Sequence, residues 1–223
     1  MDNRDLAQGE SQQTIGILGA GRVGTAIARL AVAAGYQVKV ATSKAAAENE
    51  LIIEIVTPGA IAVEALEAAT ADLVVVAIPL HKYKSLSAEA LSGRTVIDAM
   101  NYWAATDGDI ADFENTELSS SEVVAAYLSG SHVVKSFNHI GYHEMEPDAA
   151  VSGSPGRRAL GVAGDDVGTK ERVARFLDAV GFDSIDTGDL ASGKFFEPGT
   201  QIFNGSFTSA EFSRVLKTGL VAV

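Results

Sequence analysis

Apolar residues along the chain gather in short unbroken runs separated by helix-like stretches, the pattern of strands buried on both faces of a sheet. Thr14 to Leu18 reads as the first such strand, and a glycine-rich turn then leads into a helix over Arg22 to Ala34, stopped by Gly35. Tyr36 to Ala41 is the second strand, followed by an Ala/Glu-rich helix from about Lys44 to Ile55 and a break at Thr57-Pro58-Gly59. Ile61 and Val63 mark a short third strand. A helical turn over Glu64 to Ala69 leads into Leu73 to Ile78, the clearest fully buried strand, which Pro79 ends. The alternation continues with a helix over Tyr83 to Leu91, a strand over Thr95 to Ala99, a polar loop from Asn101 to Thr116, a helix beginning near Ser121 and a strand over Val133 to Phe137. Two more strands, Arg158 to Ala163 and Asp183 to Thr187, flank a helix over Val167 to Val180 that Asp165-Asp166 would cap. Such β-α alternation with short links predicts an α/β fold, a doubly wound and mostly parallel sheet with right-handed crossovers.

Directly after the first strand and opening the first helix stands Gly19-Ala20-Gly21-Arg22-Val23-Gly24, a GxGxxG. The first glycine permits the tight turn, the second lets backbone amides approach a pyrophosphate, and the third lets helix and strand pack closely. The helix N-terminus adds unpaired amides and a partial positive charge. In this context the motif marks a Rossmann-type dinucleotide domain over residues 14–187. Residues 1–13 read as a disordered polar tail. Residues 188–223 read as helix, loop and helix without a strand, a small C-terminal segment that closes the substrate cleft.

An NAD enzyme would present an acid at the end of the second strand, about 20 residues on, for the ribose 2′-hydroxyl. Ala41-Thr42-Ser43-Lys44 stands there instead, with no carboxylate before Glu48. Two hydroxyls and an ammonium suit a 2′-phosphate, with Arg22 beside the same loop, so NADP(H) is the expected cofactor. The plainer alternative is a solvated Lys44 and a helix-capping Ser43.

Composition narrows the partners. With 17 Lys and Arg against 29 Asp and Glu, the net charge of −12 argues against nucleic acid and anionic membrane surfaces. The longest apolar run, Leu73 to Leu80, is far short of the roughly 20 residues that cross a bilayer, and a cytoplasmic protein is expected. Without cysteine there is no disulfide framework or thiolate site. The loop spacings of His81, His139 and His143 do not resemble a zinc signature, so no metal is expected. Glu144 and Glu146 read as a solvated loop.

The segments GAGRVG, AGYQVKVATSK, VVVAIPLHKY, VIDAMNYW, VVKSFNHIGYHEM and ALGVAGDD together resemble the reduced coenzyme F420:NADP oxidoreductase family, whose dinucleotide domain also serves the cytoplasmic part of the six-transmembrane metalloreductases. The resemblance runs from about Thr14 to Gly188 and is strongest at the nucleotide end. It implies that Ser43 and Lys44 hold the 2′-phosphate, with Lys44 in place of the family's arginine, which keeps the charge but loses the bidentate fork. It further implies that Ile78-Pro79-Leu80-His81 and Ala99-Met100-Asn101-Tyr102-Trp103 border the nicotinamide and the deazaflavin, and that the protein works as a homodimer. The C-terminal segment, where the family completes its deazaflavin pocket, matches poorly.

In such sheets the crevice lies at the carboxyl ends of the strands, which brings Pro79-Leu80-His81, Asn101-Tyr102-Trp103 and Asn138-His139 together. Tyr102, Trp103, Asn138 and His139 are therefore candidate substrate-binding residues, although Tyr102 and Trp103 could instead anchor the loop by aromatic packing. His139 is a weak candidate acid or base, with hydrogen bonding as the alternative. Hydride transfer between flat rings needs distance and orientation more than proton transfer, so no essential catalytic side chain is expected. The function expected is an NADP(H)-dependent oxidoreductase passing hydride between nicotinamide and a planar coenzyme, the deazaflavin coenzyme F420 first. Flavin-mediated reduction of a metal ion or small acceptor, and an NADP(H) sensor without turnover, are the alternatives.

Overall fold

The computed structural model describes residues 13–114, 116–203 and 205–219. The disordered tail expected over residues 1–13 falls, apart from Gln13, outside them, as do the last four residues of the C-terminal segment. Eight strands form one sheet: β1 (Thr14–Leu18), β2 (Gln37–Ala41), β3 (Ile61–Ala62), β4 (Leu73–Val76), β5 (Thr95–Asp98), β6 (His132–Lys135), β7 (Ala159–Gly164) and β8 (Asp183–Gly188). Their order is β3-β2-β1-β4-β5-β6-β7-β8. The first six run parallel, β7 pairs antiparallel with β6, and β8 runs parallel to β7. The sheet is thus doubly wound and mostly parallel, with a helical C-terminal segment. Strand order reverses at β1, whose last residue, Leu18, lies level with Ala41 and Val76. That reversal opens a crevice at the strand ends.

The connecting helices are α1 (Arg22–Ala33), α2 (Ala46–Val56), α3 (Ala65–Ala68), α4 (Ala104–Asp107), α5 (Ser120–Tyr127), α6 (Met145–Asp148), α7 (Val167–Ala179) and α8 (Ser209–Gly219), with 3-10 turns at Leu80–Ser85 and Leu190–Phe196. Among the described residues no helix is long and apolar enough to cross a membrane.

Alternate residues of the strands feed two cores. Ile15, Ile17, Val38, Val40, Leu73, Val75 and Ile97 face one layer, and Leu18, Val74, Val76 and Val96 face the other. Each such side chain contributes roughly 1.5–3 kcal/mol relative to exposure, so strands buried twice must be apolar throughout. A third cluster joins Ala159 and Ala163 of β7 to Phe196, Ile202 and Phe212. It fastens the C-terminal segment to the sheet. At Gly161 a Cβ would meet the Phe212 and Phe196 rings at 3.0 and 3.1 Å, so the glycine lets both rings press on the strand.

Some elements depart from the pattern reading. The helix expected over Tyr83 to Leu91 is a 3-10 turn followed by further turns. Ser85 Oγ donates to Lys82 O and Ser87 Oγ accepts from Ala90 N, so serine side chains compete with the helical ladder. The strand expected to reach Phe137 stops at Lys135, because Phe137 has φ +63°, the left-handed region a bulky residue rarely adopts. The polar loop after Asn101 contains α4, whose Asp107 accepts from Trp103 N.

Candidate active site

The three glycines of the loop after β1 occupy three different environments. Gly19 has φ +114°, and a Cβ there would overlap Ala77 O. A Cβ on Gly24 would overlap Gly19 O, so only glycine lets α1 lie against the loop. Gly21 has no heavy atom within 4 Å of where its Cβ would stand. It is the N-cap of α1 and offers no side-chain cap. The amides of Arg22, Val23 and Gly24 belong to the first turn, which has no intrahelical acceptors, and they sit beside that open space. Such a turn can hold an anion, a pyrophosphate among them.

A cavity of about 620 Å³ opens on one side of the loop, lined by Gly19, Gly21, Thr42, Ser43, Ile78 and Pro79 among others. Leu66 and Lys82 also border it. A second hollow of about 550 Å³ is lined by Gly21, Arg22, Thr42, Lys44, Glu48 and Asn49. Thr42 Oγ1 accepts from Lys44 N at 3.0 Å, which shapes the turn after β2 and leaves Ser43 and Lys44 exposed. Ser43 does not cap α2: the N-cap is Ala45, and Ala46 N donates to Glu64 Oε1. Leu80 is buried in the core, and His81 Nδ1 lies 3.1 Å from Asp107 Oδ1.

On the other side of α1 lies a cavity of about 470 Å³, bordered by Val23, Ala99, Asn101, Asn138, His139 and Tyr142, with Arg158 and Phe203. Its polar wall is tightly paired. Asn101 Nδ2 donates to Asn138 O at 2.7 Å, and Asn138 Nδ2 donates to Asn101 Oδ1 and to Phe196 O at 3.0 and 2.8 Å. Gly161 N donates to His139 Nε2 at 3.0 Å, which leaves the ring proton on Nδ1, 3.1 Å from Asn138 Oδ1. The ring is packed on Phe196 and Phe212. Burial pushes its pKa down to about 3, and the nearby charges of Arg158 and Lys135 act in the same direction. His139 is thus neutral, with both nitrogens engaged, and it holds the Asn138 amide in orientation.

The tertiary structure adds groups that the sequence did not single out. Arg158, buried, donates from Nη1 to Glu144 Oε2 and Asp148 Oδ2, and from Nη2 to Gly205 O. Glu146 grips Arg29. The expected solvated loop is therefore tied to the body by both glutamates. Lys135 is fully buried, its ammonium placed on Met100 O, Ser120 Oγ and Asp98 Oδ2 at 2.7, 3.1 and 3.4 Å. It pins the chain just before Asn101. A lysine at the end of an apolar strand carries no sequence mark of such a role. Tyr102 stacks on Phe113 and donates to Gly108 O, which anchors its own loop. Trp103 is 46% exposed and packs edge-on against Phe203, which borders the cavity. Among the described residues no group of three or more His, Asp or Glu could hold a metal ion.

Residues 14–102 match the family described as NADP oxidoreductase, coenzyme F420-dependent. The matched stretch covers less than half of the chain. It runs from β1 to just past β5, and so carries the glycine loop, the turn after β2 and Asn101. A hypothetical protein from Sinorhizobium meliloti superposes with a TM-score of 0.76 at 26% identity, covering 89% of this chain and 96% of that one. A proposed F420-dependent NADP-reductase from Arthrobacter sp. FB24 gives 0.66 at 21% identity, covering 95% and 92%. A pyrroline-5-carboxylate reductase from Coxiella burnetii gives 0.53 at 17% identity, covering 79% and 60%. A search of curated protein sequences found no match. The fold is of the Rossmann type, and the match over residues 14–102 supports an NADP-dependent oxidoreductase.

Proposed function

We propose that this chain exchanges hydride between NADP(H) and a planar redox coenzyme, with the deazaflavin coenzyme F420 as the first choice, in the cytoplasm. The observation that carries the reading is the placement of adjacent residues on the first turn of α1. Arg22 borders the hollow that holds Lys44, whereas Val23 borders the cavity that holds Asn101 and Asn138. An extended dinucleotide lying over Gly21 would reach both. Gly21 and the first-turn amides would hold its pyrophosphate, Thr42, Ser43 and Lys44 its 2′-phosphate, and Val23, Ala99 and Asn101 its nicotinamide end. The bound nicotinamide supplies the hydride.

The protein's own part is positioning. The Asn101-Asn138 pair and the His139 hydrogen bonds set one rigid wall, and Phe203, backed by Trp103, also borders the cavity, so a flat ring would have a defined seat. His139 has no free proton to give and no free lone pair to take one, which suits a reaction without proton transfer at this wall. A spectrophotometric screen of NADPH oxidation against deazaflavin, flavins, quinones and ferric chelates tests the reading. Turnover with deazaflavin in preference to the others is expected. Turnover only with flavin plus a ferric chelate, or tight NADPH binding with no acceptor at all, would replace it.

A further inference from the structure

Arg22 and Tyr142 lie 120 positions apart in sequence and touch in the fold. Arg22 Nη1 donates to Tyr142 Oη at 3.1 Å, and the guanidinium carbon stands 5.3 Å from the centroid of the ring. Tyr142 is 38% exposed, yet its backbone is not a loose tip. Gly141 N donates to Glu144 Oε2, and that same oxygen is held by buried Arg158, so the loop that carries Tyr142 is braced from beneath. Tyr142 borders the cavity on the Val23 side, and Arg22 borders the hollow on the Lys44 side. Their contact therefore spans the N-terminus of α1, between the two spaces that a single dinucleotide would join.

We propose that Tyr142 is a further dinucleotide-binding residue, which with Arg22 forms a clasp across this groove that opens to admit the pyrophosphate and closes over it. The inference rests on the reading that NADP(H) lies along the glycine loop. The chemistry allows both contacts at once: a guanidinium has five N–H donors, of which the phenol takes one, so others remain for phosphate oxygens while the face stays on the ring. An exposed pair of this kind is weak enough to part when a ligand enters and strong enough to slow its departure. Phosphate charge next to Arg22 also keeps the guanidinium over the groove. Tyr142 thus sets how long the cofactor stays, while the amides of the first turn set where it sits.

The test is the dissociation rate of NADPH, followed by nicotinamide fluorescence in stopped flow after mixing with excess NADP, for wild type, Tyr142→Ala, Tyr142→Phe, Arg22→Ala and the Tyr142→Ala/Arg22→Ala pair. Tyr142→Ala should speed dissociation about tenfold, and Tyr142→Phe, which keeps the ring, only about two- to threefold. Because the two residues act as one device, the double variant should dissociate no faster than Arg22→Ala alone. Dissociation from Tyr142→Ala within about twofold of wild type, or multiplying effects in the double variant, would overturn the clasp. Should Tyr142→Ala melt early, Tyr142→Phe decides, since it keeps the packing and removes only the hydroxyl. Failure of wild type to bind NADPH would overturn the NADP(H) reading and the clasp together, whereas normal binding with an inert Tyr142 would overturn the clasp alone.

Discussion

The two sides of the first turn of α1 treat their polar groups in opposite ways. On the glycine-loop side the donors are held in reserve: Gly21 faces open space, its helix has no side-chain cap, and Ser43 and Lys44 stand exposed. On the side proposed for the acceptor, the side chains of Asn101, Asn138, His139 and Arg158 all have protein partners. The first arrangement suits binding, because unpaired donors can receive an anion. The second positions, because a paired and packed wall does not reorganise when a ring arrives. Substitutions on the two sides should therefore fail differently, and that contrast can be broken or sharpened.

The largest effect is expected within the loop itself. Gly24→Val should give no folded protein, because any side chain there overlaps Gly19 O, whereas Gly21→Val, facing open space, should melt close to wild type. The latter should nonetheless lose NADPH affinity by about 100-fold or more, since the cradle donates several hydrogen bonds to charge at roughly 1.5–3 kcal/mol each. Thermal melts and a fluorescence titration of both variants measure the difference. A Gly21→Val protein that binds normally would remove the loop from the site.

Next in size is His139→Ala, which should cost about 3 kcal/mol of stability through the cavity it leaves and the unpaired Gly161 amide. The histidine also carries a pH signature. Its folded pKa, about 3, lies below the ordinary 6.5, so between those values the unfolded chain binds more protons than the folded one. Stability from this group is therefore fully present above pH 6.5 and is lost as pH falls towards 3, at up to about 1.4 kcal/mol per unit. Denaturant unfolding across that range should show a steeper acid loss for wild type than for His139→Ala. Equal slopes would mean that the imidazole is not buried neutral.

Lys44→Asp should be smaller and purely selective. Stability should stay near wild type, while NADPH affinity falls by roughly 10- to 100-fold and NADH affinity changes little, as expected when one charged hydrogen bond to phosphate is lost. Glu48 borders the same hollow, where its carboxylate would oppose a phosphate, so Glu48→Gln should strengthen NADPH binding slightly. Equal losses for both cofactors would make Lys44 an ordinary surface lysine. The smallest effect belongs to Trp103→Ala, whose edge-on pair with Phe203 is worth about 1 kcal/mol. It should raise the acceptor KM a few-fold and leave NADPH affinity untouched, which steady-state kinetics would separate.

What the chain determined by itself is local. Apolar runs bounded by glycine and proline placed all eight strands within a few residues, since strands buried on two faces have no room for polar positions. The glycine loop was legible for the same reason: its three constraints fall within six consecutive residues. The turn after β2 needed only the absence of an acid to be noticed. Tertiary structure decided whatever depends on residues distant in sequence. The antiparallel entrance of β7 follows a connection, 136–158, long enough to return by either route. The left-handed Phe137 packs on Phe176 and Phe182, the buried Lys135 rests on Asp98, Met100 and Ser120, and the nitrogens of His139 are engaged by Gly161 and Asn138. Arg158 and Tyr142 reach the site only because the loop after β6 folds back over α1. Such contacts leave no period or spacing in the sequence, because their energy comes from groups that only the fold brings within reach.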